Sequence, residues 1–386
     1  MVIPNLMSDA RNRRNKYLKA AVSSMSFLLT LLALEIGLRL DGYNPLKDWL
    51  NGGESIFRAS ADPDLKYELT PGASGTFSGT YVKINSQGFR GPEPSSSPSG
   101  PRVIVLGDSI AFGNFLNWED TFSGQLEQRL HSAKRAVEVL NFGVGGYDVL
   151  QEVALLESRG LKYRPDLVVV AYCLNDISIA STSLDHIERM RSRQRSFLYR
   201  SRLAQFVLSN VEKIRVKRWL SYMNRPEVFH REYEHQIDPI GDEEVELLAL
   251  MERTPRWPST TWYGDRDRVG RLRFAFRRLA NTAKENGFSV VVMTIPLLVG
   301  DGETYTHRAA HRIVEMEAQR AGFDSINLTD AFMRVGTQNL QAEWGDIIHP
   351  NARGHAIIAD SLLEYVIKHL KDPAPAIGQS NGGRTR

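Results

Sequence analysis

Three things are scarce in this chain, and each scarcity narrows what it can be. It has one cysteine, Cys173, among 386 residues, so no disulfide can close within it. A lone thiol suits reducing and oxidising surroundings alike and leaves the compartment open. Charge of one sign is not in excess: 48 Lys and Arg face 45 Asp and Glu, a net +3, which carries no strong nucleic-acid signature. Long apolar runs are scarce too, with one at residues 20–34 and no other stretch long and apolar enough to span a bilayer. What remains is 42% hydrophobic and 24% charged, the balance of a folded globular chain. The length admits two domains, or one large domain with an insertion.

The apolar run is preceded by Arg11, Arg13, Arg14, Lys16 and Lys19 and interrupted by Glu35. Its uncharged part, about 15 residues, is shorter than the roughly 20 that a spanning helix needs. Counted over 17–38, with Lys19 and Glu35 near opposite interfaces, it reaches. No good small-x-small cleavage site follows, Leu32-Ala33-Leu34 being a poor one. The expectation is an uncleaved signal anchor at 17–40 in the inner membrane, the basic segment 1–16 cytoplasmic, and the rest periplasmic or at the cell surface. A cleaved signal and a surface-lying helix are the alternatives. Residues 41–102 are rich in Gly and Pro turns around short strand-like pieces at 66–69 and 81–84, a β-rich elaboration that ends in the Pro- and Ser-rich stretch 92–101.

Beyond it the pattern alternates. Apolar runs at 103–106, 137–141, 167–172, 289–295 and 325–328 read as buried strands. Helical spacing covers 121–131, where Asp120 could cap, then 150–159, 267–286 with Gly287 at its end, 307–321 and 352–370. Strands separated by helices at this spacing predict crossover units and a five-stranded parallel sheet with helices on both faces. The first strand ends in Gly107-Asp108-Ser109, and a serine at the carboxyl end of such a strand lies where open α/β sheets bind ligands.

A serine hydroxyl is a poor nucleophile until a base takes its proton, and the base needs a partner that holds its tautomer. Asp346-Ile-Ile-His349 offers both within one turn. Gly146, in the glycine-rich end of the second strand, can present a bare backbone N–H; Asn175 can present a side-chain amide, and Ser109 its own N–H, to a developing oxyanion. Gly107-Asp108-Ser109, Gly146, Asn175-Asp176 and Asp346-x-x-His349 together resemble the ordered motif blocks of the SGNH/GDSL hydrolases, in their membrane-anchored bacterial form, over about 103–370. The resemblance implies a flavodoxin-like three-layer α/β/α fold. It implies Ser109 as nucleophile, His349 as base, Asp346 as its orienter, and an oxyanion hole from Ser109, Gly146 and Asn175. It implies hydrolysis or transfer of small acyl groups without metal or other cofactor. Leu174 stands where the family's third block usually has glycine, so a reshaped loop or a narrower acyl pocket is expected. No Gly-x-Ser-x-Gly elbow is present, which argues against the ordinary α/β-hydrolase fold.

Residues 177–266 form an insertion expected to be a helical cap, with amphipathic stretches at 203–208 and 211–220 and many arginines. A solvated helical face and a surface for anionic lipid or acidic polysaccharide both fit. Trp118 and Trp344 are placed to touch a substrate. Asp108 and Asp176 read as loop-fixing hydrogen bonders, His355 as structural, and 371–386 as a disordered tail. Three functions fit: an anchored esterase acting on an acylated envelope glycan or lipid; an O-acyltransferase on such a glycan, fed by a membrane acyl-donor partner; and a catalytically idle glycan-binding scaffold, which the intact Ser109, Asp346 and His349 disfavour.

Overall fold

The structure is a computed structural model that describes residues 4–42, 56–178, 200–223, 225–241 and 262–370. Two compact units divide it: 1–47 with 185–219, and 48–184 with 220–386. The rest of the insertion, with Trp257, an aromatic that could stack on a sugar ring or pack the cap on the core, and the tail from 371 lie outside the described residues.

The larger unit opens with two antiparallel hairpins, β1 (Phe57–Ala59) with β2 (Tyr67–Leu69) and β3 (Ser74–Phe77) with β4 (Thr80–Lys83). Ile56, Phe57, Leu65, Tyr67, Leu69, Val82, Ile84 and Phe89 from this segment belong to the same hydrophobic core as the sheet that follows. That sheet is parallel: β5 (Arg102–Gly107), β6 (Glu138–Asn141), β7 (Leu167–Cys173), β8 (Ser289–Ile295) and β9 (Asp324–Asn327). Every residue of β5 and β7 is buried, as expected of central strands covered on both faces.

The spatial order is β6-β5-β7-β8-β9. Counted from β5, that is 2-1-3-4-5, the flavodoxin-like winding, whose direction reverses between β5 and β7. Gly107 at the end of β5 pairs with Ala171 near the end of β7. Ser109 and Asn175 therefore leave the sheet side by side at the point where such sheets open a crevice. The helices are α2 (Ser109–Phe112), α3 (Phe122–Ser132), α4 (Val149–Leu155), α6 (Pro226–Tyr233), α7 (Arg266–Asn286), α8 (Arg308–Arg320), α9 (Thr329–Met333) and α10 (Ala352–His369). α3 packs on α10, and α7 packs on both α4 and α8, which gives the three layers.

The expected elements recur within a few residues, with three corrections. Asp120 does not cap α3: it closes the 3₁₀ turn Trp118–Asp120, and Thr121 caps instead, its Oγ1 accepting from the Gly124 N–H at 3.2 Å. The helix expected at 150–159 is α-helical only over Val149–Leu155, capped by Asp148 in a capping box with Gln151, and widens to a π turn over Leu156–Gly160. The two helices expected in the insertion are one, α5 (Arg202–Met223).

The smaller unit contains α1 (Pro4–Leu40) and most of α5. Within α1, Arg11–Leu40 is 30 residues long and apolar enough to cross a membrane, the one such helix among the described residues.

Candidate active site

The Ser109 loop is built from the backbone outward. Gly107 has φ 151°, and a Cβ there would lie 2.7 Å from Ala111 Cβ and 2.9 Å from the Ala171 carbonyl oxygen, so the strand can pass into α2 only through glycine. Asp108 is fully buried and caps that short helix, its Oδ1 accepting from the Ile110 N–H at 2.9 Å. Its Oδ2 accepts from Asn175 Nδ2 at 2.9 Å and lies 3.2 Å from Ser109 Oγ. Asp108 is thus the loop-fixing residue the sequence suggests, tying the first and third motif blocks together. Ser109 follows it, half-buried.

His349 Nε2 stands 2.9 Å from Ser109 Oγ, across 240 positions of sequence. Its Nδ1 is 2.8 Å from Asp346 Oδ2, and Asp346 Oδ1 accepts from the Ile348 and His349 N–H groups at 2.9 and 3.0 Å. Burial pushes the Asp346 carboxyl up, but the hydrogen bonds from the His349 ring and from these amides outweigh it and hold the group below its ordinary value. An ionised Asp346 fixes the proton on Nδ1 and leaves Nε2 to accept from the serine. The loop is anchored from outside: Leu298 N–H donates to the Ile347 carbonyl at 2.7 Å, and Ala342 N–H to the His349 carbonyl at 2.9 Å. The ring of Phe115 meets the imidazole edge-on at 5.3 Å. Phe115 has φ 67°, a left-handed conformation rare for a bulky residue and of the kind that collects at functional sites.

The donor side is next to the serine. Gly146 has φ 82°, and a Cβ on neighbouring Gly145 would come 3.9 Å from Ser109 Cβ. The Gly145 carbonyl accepts from the Tyr67 hydroxyl at 2.8 Å, so the β1–β2 hairpin fixes this loop. Asn175, half-buried, spends one amide hydrogen on Asp108 and keeps the other. Leu174 is fully buried, and its carbonyl accepts from Tyr263 at 3.2 Å, so its side chain belongs to the core. Asp176 Oδ2 accepts from the Cys173 N–H at 2.7 Å. The ring of Trp118 packs over Gly91, where a Cβ would lie 2.8 Å from it. Trp344 is fully exposed.

Two residues of this neighbourhood, Arg90 and Glu152, carry no sequence signal that sets them apart. Arg90, from the turn-rich segment before the sheet, is 2% exposed and donates to the carbonyls of Phe112, Gly113 and Leu116, the first two at 2.9 and 2.7 Å. Its guanidinium stacks over Phe112 at 5.1 Å, and burial lowers it to about 10. It therefore holds the loop that carries Phe115. Glu152, on α4, is buried with neither oxygen hydrogen-bonded among the described residues. Burial first, then the charges of Asp108 and Asp148, push it well above the carboxylate range; burial with Asp108 and Glu152 does the same to Asp176. His355 Nδ1 accepts from the Phe122 N–H at 3.0 Å while the ring stacks on Phe122, and burial lowers it to about 3, a structural role as the sequence suggests.

The model of the GDSL-like Lipase/Acylhydrolase family matches residues 105–357; the chain belongs to that family and is an ester hydrolase. No curated protein matches it. Among solved structures it is similar to Axe2, an acetylxylan esterase from Geobacillus stearothermophilus, at 16% identity over 70% of this chain and 96% of that one, TM-score 0.40. It is similar also to the acetyl xylan esterase AlAXEase, at 14% identity over 69% and 99%, TM-score 0.39. A third is LAE5, an alpha/beta hydrolase from the metagenome of Lake Arreo, Spain, at 14% identity over 69% and 95%, TM-score 0.40.

Proposed function

We propose that this esterase removes small acyl groups, acetyl among them, from a cell-envelope glycan or lipid through an acyl-Ser109 intermediate. The observation that carries the chemistry is the relay Ser109 Oγ–His349 Nε2–Nδ1–Asp346 Oδ2, at 2.9 and 2.8 Å. Ser109 Oγ attacks the ester carbonyl carbon as its proton passes to Nε2. Asp346 stabilises the imidazolium that forms without taking its proton. The N–H groups of Ser109 and Gly146 and the free amide hydrogen of Asn175 stabilise the oxyanion. His349 then protonates the leaving alcohol, and water, deprotonated by the same nitrogen, releases the acid and restores Ser109. Trp344, exposed two residues before Asp346, is the aromatic surface a sugar ring would meet first.

The setting rests on α1. Five basic residues ahead of the apolar span keep its start cytoplasmic, so 17–40 anchors the chain in the inner membrane and the hydrolase domain works outside the cytoplasm. The test uses a small aryl acetate, with and without an acetylatable oligosaccharide, and weighs both products. Release of acetate regardless of acceptor, abolished in Ser109→Ala, is the expected result. Turnover retained in Ser109→Ala removes the assignment. Acetyl appearing on the sugar with little release to water would mean an acyltransferase supplied by a membrane donor.

A further inference from the structure

The carboxylate inside the apolar span has a partner, and the partner leads to a second membrane contact. Glu35 lies five residues before the end of α1 at Leu40, about 7–8 Å along the axis. A carboxylate at that depth is costly unless satisfied, and here it is. Glu35 Oε1 accepts from the Arg202 N–H at 3.0 Å, and Oε2 from the Leu203 N–H at 2.8 Å and the Ser201 hydroxyl at 2.8 Å. Arg39 bonds the same carboxylate at 2.7 Å and the Arg200 carbonyl at 3.1 Å. The first N–H groups of a helix have no partner of their own and favour negative charge. Glu35 therefore caps α5 and fixes its first turn to the end of the apolar span.

Over residues 205–214 α5 buries polar side chains and exposes apolar ones, the reverse of a soluble helix. Its buried side carries Gln205 and Ser209, at 8% and 3% exposure. Its outward side carries Val207, Val211 and Ile214, each about half exposed (50%, 46% and 54%). These sit at i, i+4 and i+7, one stripe of the helix, and Arg218 continues the stripe at i+11. Water is a poor neighbour for such a face; the boundary of a bilayer is a good one, with the aliphatic stem of Arg218 in the apolar layer and its head among anionic phosphates.

We propose that α5 lies on the membrane that α1 crosses, its Val207–Val211–Ile214 stripe in the acyl boundary and its basic end on anionic headgroups. The anchor would then be a two-point attachment, a spanning helix plus a surface helix held at its exit by Glu35. This rests on the reading of α1 as an anchor, and the experiment separates the two.

The full chain is reconstituted into vesicles of phosphatidylcholine with phosphatidylglycerol, a fraction of the lipids nitroxide-labelled. Val211→Cys and, as a reference far along the chain, Lys284→Cys carry a polarity-sensitive fluorophore; Cys173 is buried. Carbonate washing reports the anchor independently. The expected result is a chain that stays with the vesicles, a label at 211 that shifts blue and is quenched several-fold more than the label at 284, and loss of that difference on adding Glu35→Ala. Turnover of a soluble aryl acetate should be unchanged in Val211→Asp with Ile214→Asp. A washed, retained chain whose 211 label stays in water overturns the surface helix and leaves the anchor standing. A chain that carbonate releases overturns the anchor, and the two-point attachment with it.

Discussion

Arg90 offers the most direct check on how the loop that carries Ser109 and Phe115 is held. Replacing it with methionine keeps much of the side-chain volume and removes every donor. Three carbonyls, those of Phe112, Gly113 and Leu116, lose this charged donor, the Gly113 carbonyl keeping only the Leu116 N–H at 3.3 Å, at about 1–3 kcal/mol each, or about 3–9 in all. Against this, the guanidinium is itself uncomfortable: its fall from 12.5 to about 10 on burial corresponds to about 3 kcal/mol of charge desolvation that the methionine does not incur. The net loss expected is about 3 kcal/mol, or about 1–2 M in the urea midpoint. The second consequence is catalytic. Arg90 grips both ends of the turn that carries Phe115, and Phe115 leans on His349. Misplacement of a catalytic group by about 1 Å can cost about 100-fold. Under conditions where the variant is still folded, kcat/KM for an aryl acetate should fall at least about tenfold, and Arg90→Lys should fall between it and the wild type. A methionine variant with the wild-type urea midpoint and the wild-type rate would refute this account of the loop.

Other expectations follow from the same geometry. Asp346→Asn should lower kcat by about 10⁴ through the wrong imidazole tautomer; a change of a few fold in steady-state turnover would show that Asp346 does not orient the ring. His311 and His355 are buried and held to about 3, so below about pH 6.5 the unfolded chain binds protons that the folded chain does not. Stability should drop by about 2 kcal/mol per histidine between pH 7 and 5, and urea midpoints equal at the two pH values would contradict it. Glu152 runs the opposite way: its folded form keeps a proton that the unfolded chain loses above about pH 4.5, so stability is lost as pH rises. Glu152→Gln should therefore gain on the wild type as pH rises from about 5 to about 8; a stability difference between the two in urea that is the same at both pH values would refute it.

The sheet was legible because its signal is local. Residues 103–106 and 167–172 are continuous apolar runs bounded by turn residues, and 267–286 closes on Gly287, which has φ 77° as a helix stop requires. Ser109, Gly146, Asn175, Asp346 and His349 could be picked out one by one because each lies in a short motif at an element's end. The insertion was less legible. Its sequence reads as two amphipathic pieces, and the structure makes one helix, α5, whose first turn is capped by Glu35, far away in sequence.

What the sequence alone determined is therefore the alternation of strands and helices, the apolar span at the start and the residue types that acyl-transfer chemistry needs. Those follow from periodicity and from short motifs, which are properties of neighbours in the chain. The tertiary structure alone decided which distant groups meet. The 2.9 Å approach of His349 to Ser109 joins positions 240 apart. Arg90 reads as one more residue of a turn-rich, β-rich segment until the fold buries it against three carbonyls. Glu152 and Asp176 are pushed well above the carboxylate range because packing takes them from water and sets them beside Asp108. Burial and contact between remote segments are set when the sheet closes, and no local pattern encodes them.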